Sequence, residues 1–220
     1  NRRTSPLRQG GTHHVVALTR RGDQSTPSRA AGGGADQDMS LVTARRVVRF
    51  IFESPSSELT VQLRGGEPLL NWEVLEFIVR HLRSFPGMVG RRLRIGLVSN
   101  LAGLDEARMA FLAEKGVELA VPLDGPAALH DRGRRTAQGD GAHAAAARAL
   151  AAWATRHPAA AKPEALLTVT RGALGHGGEI LESYRRLGLA AFRARPHWSS
   201  AGLSAEEYLA FYADLLATGG

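Results

Sequence analysis

The chain has 220 residues, 44 % of them hydrophobic and none of them cysteine, which suits one sizeable α/β core and excludes disulfides, zinc–thiolate sites and thiol catalysis. The formal net charge is +7, but arginine is scattered along the whole length, lysine occurs only at Lys115 and Lys162, and aromatic residues make up 6 %, so a polyanionic nucleic acid is a disfavoured partner. No apolar run approaches the roughly 20 residues that span a bilayer, and no charged-then-apolar leader opens the sequence. The expectation is a cytoplasmic protein without a membrane partner.

Residues 1–12 carry Arg2, Arg3, Pro6 and Gly10 and read as a flexible tail, followed by one core domain over 13–220. Residues 14–18 form a short apolar run, a candidate first strand. His13 and His14 then lie on opposite faces and do not make a metal pair. Residues 19–37 are a long polar loop, of the kind that is functional or disordered. Asp38, Met39 and Ser40 cap a helix over 41–53, with Val42, Val47, Val48, Ile51 and Phe52 as its apolar positions and Arg45, Arg46 and Arg49 mostly on a solvated side.

Leu59, Val61 and Leu63 alternate with Thr60, Gln62 and Arg64, which predicts a strand. That strand runs into Gly65-Gly66-Glu67-Pro68, where glycines permit a sharp turn and close approach of a ligand to the main chain. Asn71 is expected to cap a helix over 72–85. Taken alone, this stretch also fits a plain strand–turn–helix connection with an exposed glutamate.

The alternation continues. A strand over 93–98 ends in Ser99-Asn100, and a helix over 105–115 stops at Gly116. A strand over 117–123 ends in Asp124-Gly125-Pro126. A loop rich in Arg and Gly precedes the alanine-rich helix 142–156. A strand over 165–170, a helix over 178–187, a strand over 190–195 and a helix over 205–217 complete the chain, the last with Ser204 and Glu207 placed as a capping box. Six β–α units in succession demand a parallel sheet with right-handed crossovers. They fall short of the eight units of a closed barrel, so a six-unit partial barrel and a doubly wound sheet both fit. The polar punctuation falls after strands, where both folds place their ligands.

Gly-Gly-Glu-Pro-Leu-Leu after the second strand, Ser-Asn after the third, and Leu-Asp-Gly-Pro followed by Leu-His-Asp and Arg after the fourth together resemble the core of the radical S-adenosylmethionine enzymes. Within that family the likeness is to the peptide-modifying subgroup, as in the maturase of the His-Xaa-Ser peptide system. Asp38-Met39-Ser40 and Thr168-Val169-Thr170-Arg171 strengthen the resemblance, which covers residues 13–212. It implies a (β/α)6 partial TIM barrel that binds S-adenosylmethionine (AdoMet) at the carboxyl ends of its strands, and a small ribosomal precursor peptide or an active maturase as partner. The methionine ammonium would lie on Gly65, Gly66 and Glu67, the ribose near Ser99 and Asn100, and the cofactor carboxylate against Arg134. With Pro68 and Asp124 these make up the cofactor-binding set the resemblance implies. His130 matches the family's His-Asp pair and is expected to brace the loop after strand four.

The sequence departs from that family where its chemistry begins. A 4Fe–4S cluster is expected on a C-x3-C-x2-C loop after strand one, held by thiolates. The matching positions here are Gly22, Thr26 and Arg29, with Ser28 where an aromatic residue is usual. Glycine offers no ligand, threonine a neutral hydroxyl and arginine a permanent cation. The cluster is therefore not supported, and the expectation is a barrel inactive as a radical enzyme. Pro122 stands where relatives carry serine, and no cysteine-rich C-terminal extension is present in these 220 residues. Two less favoured readings are polar acid–base chemistry by Glu67, Asp124 or His130, and a basic scaffold for nucleic acid.

Overall fold

The computed structural model describes residues 11–25, 37–189, 191–197 and 203–218. The predicted tail lies outside these except at Gly11 and at Thr12, which opens the first strand; Thr26, Ser28 and Arg29 also lie outside. In chain order the elements are β1 (Thr12–Ala17), β2 (Gln24–Ser25), α1 (Leu41–Phe52), β3 (Glu58–Arg64), α2 (Trp72–Ser84), β4 (Arg92–Val98), α3 (Glu106–Glu114), β5 (Val117–Pro122), α4 (Ala127–Gly133), β6 (Arg135–Thr136), α5 (His143–Arg156), β7 (Glu164–Val169), α6 (Gly177–Arg186), β8 (Ala191–Pro196) and α7 (Ala205–Thr218).

Six strands form one sheet in the order β1-β3-β4-β5-β7-β8, every neighbouring pair parallel. The spatial order follows the chain order without reversal. A doubly wound sheet reverses direction at a switch point, so the choice left open by the sequence falls to the partial barrel. The sheet curls but does not close, leaving β1 and β8 as its edges.

The period-two pattern of each strand becomes a two-sided wall. Leu59, Val61 and Leu63 of β3, Ile95 and Leu97 of β4, and Ala165, Leu167 and Val169 of β7 are almost fully buried against the surrounding helices. The alternate residues face the concave side. There the sheet carries Thr60, Gln62, Arg64, Leu166 and Thr168, none of which belongs to the hydrophobic core.

Local signals place most element ends. Ser40 caps α1 by accepting from Thr43 N at 3.2 Å, and the capping box of α7 is reciprocal, Glu207 N donating to Ser204 Oγ at 3.1 Å and Ser204 N to Glu207 Oε2 at 2.7 Å. Asn71 is different. Its side chain makes no cap; its Nδ2 donates to the carbonyls of Leu18 at 2.9 Å and Met39 at 3.0 Å. A 3-10 turn over Pro68–Asn71 precedes α2 and takes Glu67 as its cap, so the polar side chain at 71 is released to tie β1 to the entry of α1. Within the loop rich in Arg and Gly the chain forms α4 and β6, and β6 pairs antiparallel with β2 from the long polar loop. Both are too short to leave a periodic signal.

Candidate functional site

The turn after β3 is built on a close backbone approach. A Cβ on Gly65 would lie 2.6 Å from Thr19 O, so only glycine fits without displacement. Gly66 N donates to Thr19 O at 2.9 Å and Glu67 N to Arg21 O at 2.7 Å. The turn is thus stitched to the segment that leaves β1. That segment is itself clamped: Arg21 Nε donates to Asp38 Oδ1 at 2.9 Å, and the Thr19 hydroxyl donates to the same oxygen.

Glu67 is 3 % exposed. Its Oε1 accepts from Leu69 N at 3.0 Å and from Ser99 Oγ at 2.7 Å, and its Oε2 from Asn100 N at 2.9 Å. Burial pushes its carboxyl up to about 7, against the pull of those three donors and with help from the charge of Asp23. Both lone-pair positions of Oε1 are engaged, while Oε2 keeps one for a further donor. Asn100 also reaches Asp23, its Nδ2 donating to Oδ1 at 2.7 Å, so one residue links two carboxylates, Glu67 through its backbone N–H and Asp23 through its side chain.

After β5 lies a second buried assembly. Arg134 Nε donates to Asp124 Oδ2 at 2.7 Å, with the two side chains only 8 % and 12 % exposed. Arg134 Nη2 reaches Thr168 Oγ1 at 3.4 Å, and Thr168 N donates to Asp124 Oδ1 at 2.8 Å. Asp124 N donates to His130 Nδ1 at 3.1 Å. Burial holds the His130 imidazole down at about 4, so it remains a neutral acceptor beneath the loop. Gly125 has φ +105, and a Cβ there would lie 2.8 Å from Ile180 Cγ1, which accounts for glycine in this turn.

These turns open on one cavity of about 610 Å³ at the carboxyl ends of the strands. Of the residues singled out from the sequence, Gly65, Gly66, Glu67, Ser99, Asn100 and Arg134 line it, and so does Gly22. Pro68 and Asp124 do not: Pro68 is buried in the 3-10 turn, and Asp124 stands behind Arg134, holding its guanidinium. Asp23, Gln24, Gln62, Arg64, Thr168, Arg193, Arg195 and His197 also line the cavity, and none of them is in the binding set the resemblance implies. Strand alternation would have found several of them, since Gln62 and Arg64 lie on the side of β3 opposite Leu63, and Arg193 and Arg195 share a side of β8.

The half-barrel is one seen in AdoMet-bound structures. Native anSMEcpe with bound AdoMet matches with a TM-score of 0.78 at 16 % identity, over 93 % of this chain and 59 % of that one. The same protein with AdoMet and the Kp18Cys peptide matches at 0.80, again at 16 % identity and over 93 % and 59 % of the two chains. The radical S-adenosylmethionine methyltransferase TsrM from Kitasatospora setae, with tryptophan substrate and the SAM analogue aza-SAM, matches at 0.55 and 13 % identity, over 86 % of this chain and 36 % of that one. At such identities the likeness establishes the fold, a partial TIM barrel of the radical AdoMet type. This chain spans about 59 % of the length of the anSMEcpe structures. No family model and no curated protein matches the sequence. Among the described residues no helix is long and apolar enough to cross a membrane.

Proposed function

We propose that residues 13–220 are a radical-AdoMet-like core domain that binds AdoMet without reducing it, and that serves in the cytoplasm as a binding partner for a small precursor peptide or an active maturase. The observation that carries this reading is the Glu67 turn. A buried carboxylate with one open lone pair stands over a cavity of about 610 Å³, within the roughly 300–1,000 Å³ typical of small-molecule sites. Gly65 and Gly66 beside it leave backbone carbonyls accessible to an ammonium. Bound AdoMet supplies a cationic sulfonium and an adenosyl group. The chain's own part is to seat the amino-acid end at Gly65–Glu67 and the ribose beside Ser99 and Asn100. Arg134 is available for the cofactor carboxylate only through Nη1, which has no partner among the described residues, because Asp124 and Thr168 hold the rest of its fork.

An iron–sulfur cluster does not fit this chain. There is no cysteine, Gly22 at the first ligand position brings no donor, and among the described residues no three His, Asp or Glu side chains gather to hold a metal. No radical step is therefore assigned to it. A peptide partner is supported by the neighbours solved with Cp18Cys and Kp18Cys peptides beside AdoMet.

Isothermal titration at pH 8 tests the reading. AdoMet is expected to bind the wild type and to bind Glu67→Gln about tenfold more weakly, the loss of one charge-assisted hydrogen bond. Absence of heat, or equal heat from both proteins, removes the AdoMet site. Iron and sulfide content after anaerobic reconstitution is expected near zero; a brown, iron-loaded protein overturns the cluster-free part.

One observation favours a second reading. A carboxyl brought to about 7 is matched to general acid–base work near neutral pH, and Asp23 beside it offers a second proton acceptor. That reading requires turnover that follows a Glu67 titration and disappears in Glu67→Gln while AdoMet has no effect.

A further inference from the structure

Charged residues on the concave face fall into two sets. Three arginines have a carboxylate on a neighbouring strand: Arg92 Nη1 with Glu58 Oε1 at 2.7 Å and Arg94 Nη2 with Glu118 Oε2 at 2.7 Å toward the amino ends, and Arg193, at the cavity wall, with Glu164. Toward the carboxyl ends, Arg64 from β3 and Arg195 from β8 line the same cavity. Among the described residues neither side chain has a hydrogen-bond or ion-pair partner. β3 and β8 are not neighbours in the sheet, so it is the curl that turns both arginines toward one space.

That arrangement is electrostatically unfavourable by itself. Burial, then the like charges of Arg64 and Arg134, hold the Arg195 guanidinium below the ordinary arginine range. The charge of Asp124, already paired with Arg134, offsets this only in part, and a partly dehydrated pair of cations with no carboxylate in contact calls for an anion from outside. The facing part of the cavity has the opposite character, with Glu67 and Asp23 joined by Asn100. A polyanion is repelled by that acidic side. A small ligand with a cationic end and a separate carboxylate matches both.

We propose that Arg64 and Arg195 form an anion subsite that grips a ligand carboxylate while the ligand's cationic end lies toward Glu67 and Asp23. A guanidinium meets a carboxylate with parallel N–H donors, and two guanidiniums converging from different strands define a position as well as a charge. The carboxylate comes either from the methionine moiety of AdoMet, in which case the subsite rests on the reading proposed above, or from a second ligand such as a peptide C-terminus, in which case it does not. The recognition chemistry at the two arginines is the same.

Calorimetric titrations of the full chain separate these cases. The probes are AdoMet, decarboxylated AdoMet, trialanine and trialanine amide. Arg64→Gln and Arg195→Gln are each expected to weaken at least one carboxylate probe by about tenfold or more, as for a lost hydrogen bond to a charged group. Arg46→Gln, on the exposed side of α1, is expected to change nothing. If AdoMet supplies the carboxylate, decarboxylated AdoMet binds the wild type about as weakly as AdoMet binds Arg195→Gln. If a peptide supplies it, the amide loses the affinity that trialanine has, and AdoMet is indifferent to both arginine variants.

Equal binding of both carboxylate probes by wild type and arginine variants overturns the subsite, and so does failure of both to bind the wild type. Trialanine binding that needs the two arginines, in a protein that ignores AdoMet, sinks the AdoMet reading and leaves the subsite standing. Both variants keep a wild-type urea midpoint or exceed it, because an uncompensated cation is removed. A lowered midpoint in both means that the arginines serve the fold, and overturns the proposal.

Discussion

The two faces of the curled sheet are made from the same strands and obey opposite rules. On the helix-facing side, Leu59, Val61, Leu63, Ile95 and Leu97 are at most 1 % exposed, and their contribution is burial. On the concave side, one residue away in every strand, stand Gln62, Arg64, Thr168 and Arg195, which contribute little to the core and surround a cavity. A strand position is thus assigned to the core or to the cavity wall by parity. The buried polar assemblies at the strand ends, Glu67 with Ser99 and Asp124 with Arg134, are where the two roles meet.

The largest test of that division is Asp124→Ala. It strands the Arg134 guanidinium in a site where the pair is 8 % and 12 % exposed, and it removes the acceptor of Thr168 N. Urea unfolding is expected to register a loss of about 3–5 kcal/mol; a loss under about 1 kcal/mol would place that assembly with the solvated face.

Parity itself is tested by two neighbours. Leu63→Ala is expected to cost about 2–5 kcal/mol, and Gln62→Ala to stay within about 0.5 kcal/mol. Similar losses at both positions would dissolve the comparison.

Next comes a dependence on pH. Glu67 has a folded-state carboxyl near 7, raised from 4.5, so between these values the folded protein holds a proton that the unfolded chain has released. The stabilisation is fully present below 4.5 and is lost as pH rises through 7. Denaturation midpoints of the wild type should therefore fall across that window relative to Glu67→Gln, which keeps a neutral side chain throughout. An ammonium ligand wants the ionised form, so AdoMet affinity should rise over the same window in the wild type alone. Parallel profiles for the two proteins would refute the assignment.

The smallest effect is expected at the amino ends of the strands. Glu58 and Arg92 are 49 % and 74 % exposed, and a double-mutant cycle on them should give a coupling of about 0–1 kcal/mol that fades with salt.

Much of this architecture was legible in the order of residues. Alternation in β3, the glycine stops at Gly116 and Gly188, and the Ser204–Glu207 box each act within a few residues, and each placed its element within about two positions. Long-range competition is what escaped. Asn71 looks like a cap because caps are local, yet two carbonyls from β1 and the entry of α1 claim its amide. Of the site, the Glu67 turn announced itself through its glycines and its place after a strand. That Arg134 would be taken by Asp124 was not readable, because the two are brought together by the turn of α4 rather than by spacing. Arg64 and Arg195 lie 131 positions apart in the chain, and only the curl of the sheet makes them companions.

The clamp of Thr19 and Arg21 on Asp38 has an evolutionary corollary. Those bonds fasten both ends of the segment between them using protein atoms alone, and the stitches from Gly66 and Glu67 moor its first residues to the barrel. A scaffold whose insertion is anchored at its roots tolerates turnover of what the insertion carries. The stretch between those roots can then change in sequence without unravelling the barrel, and the walls of the space above Glu67 stay in place whatever that stretch carries.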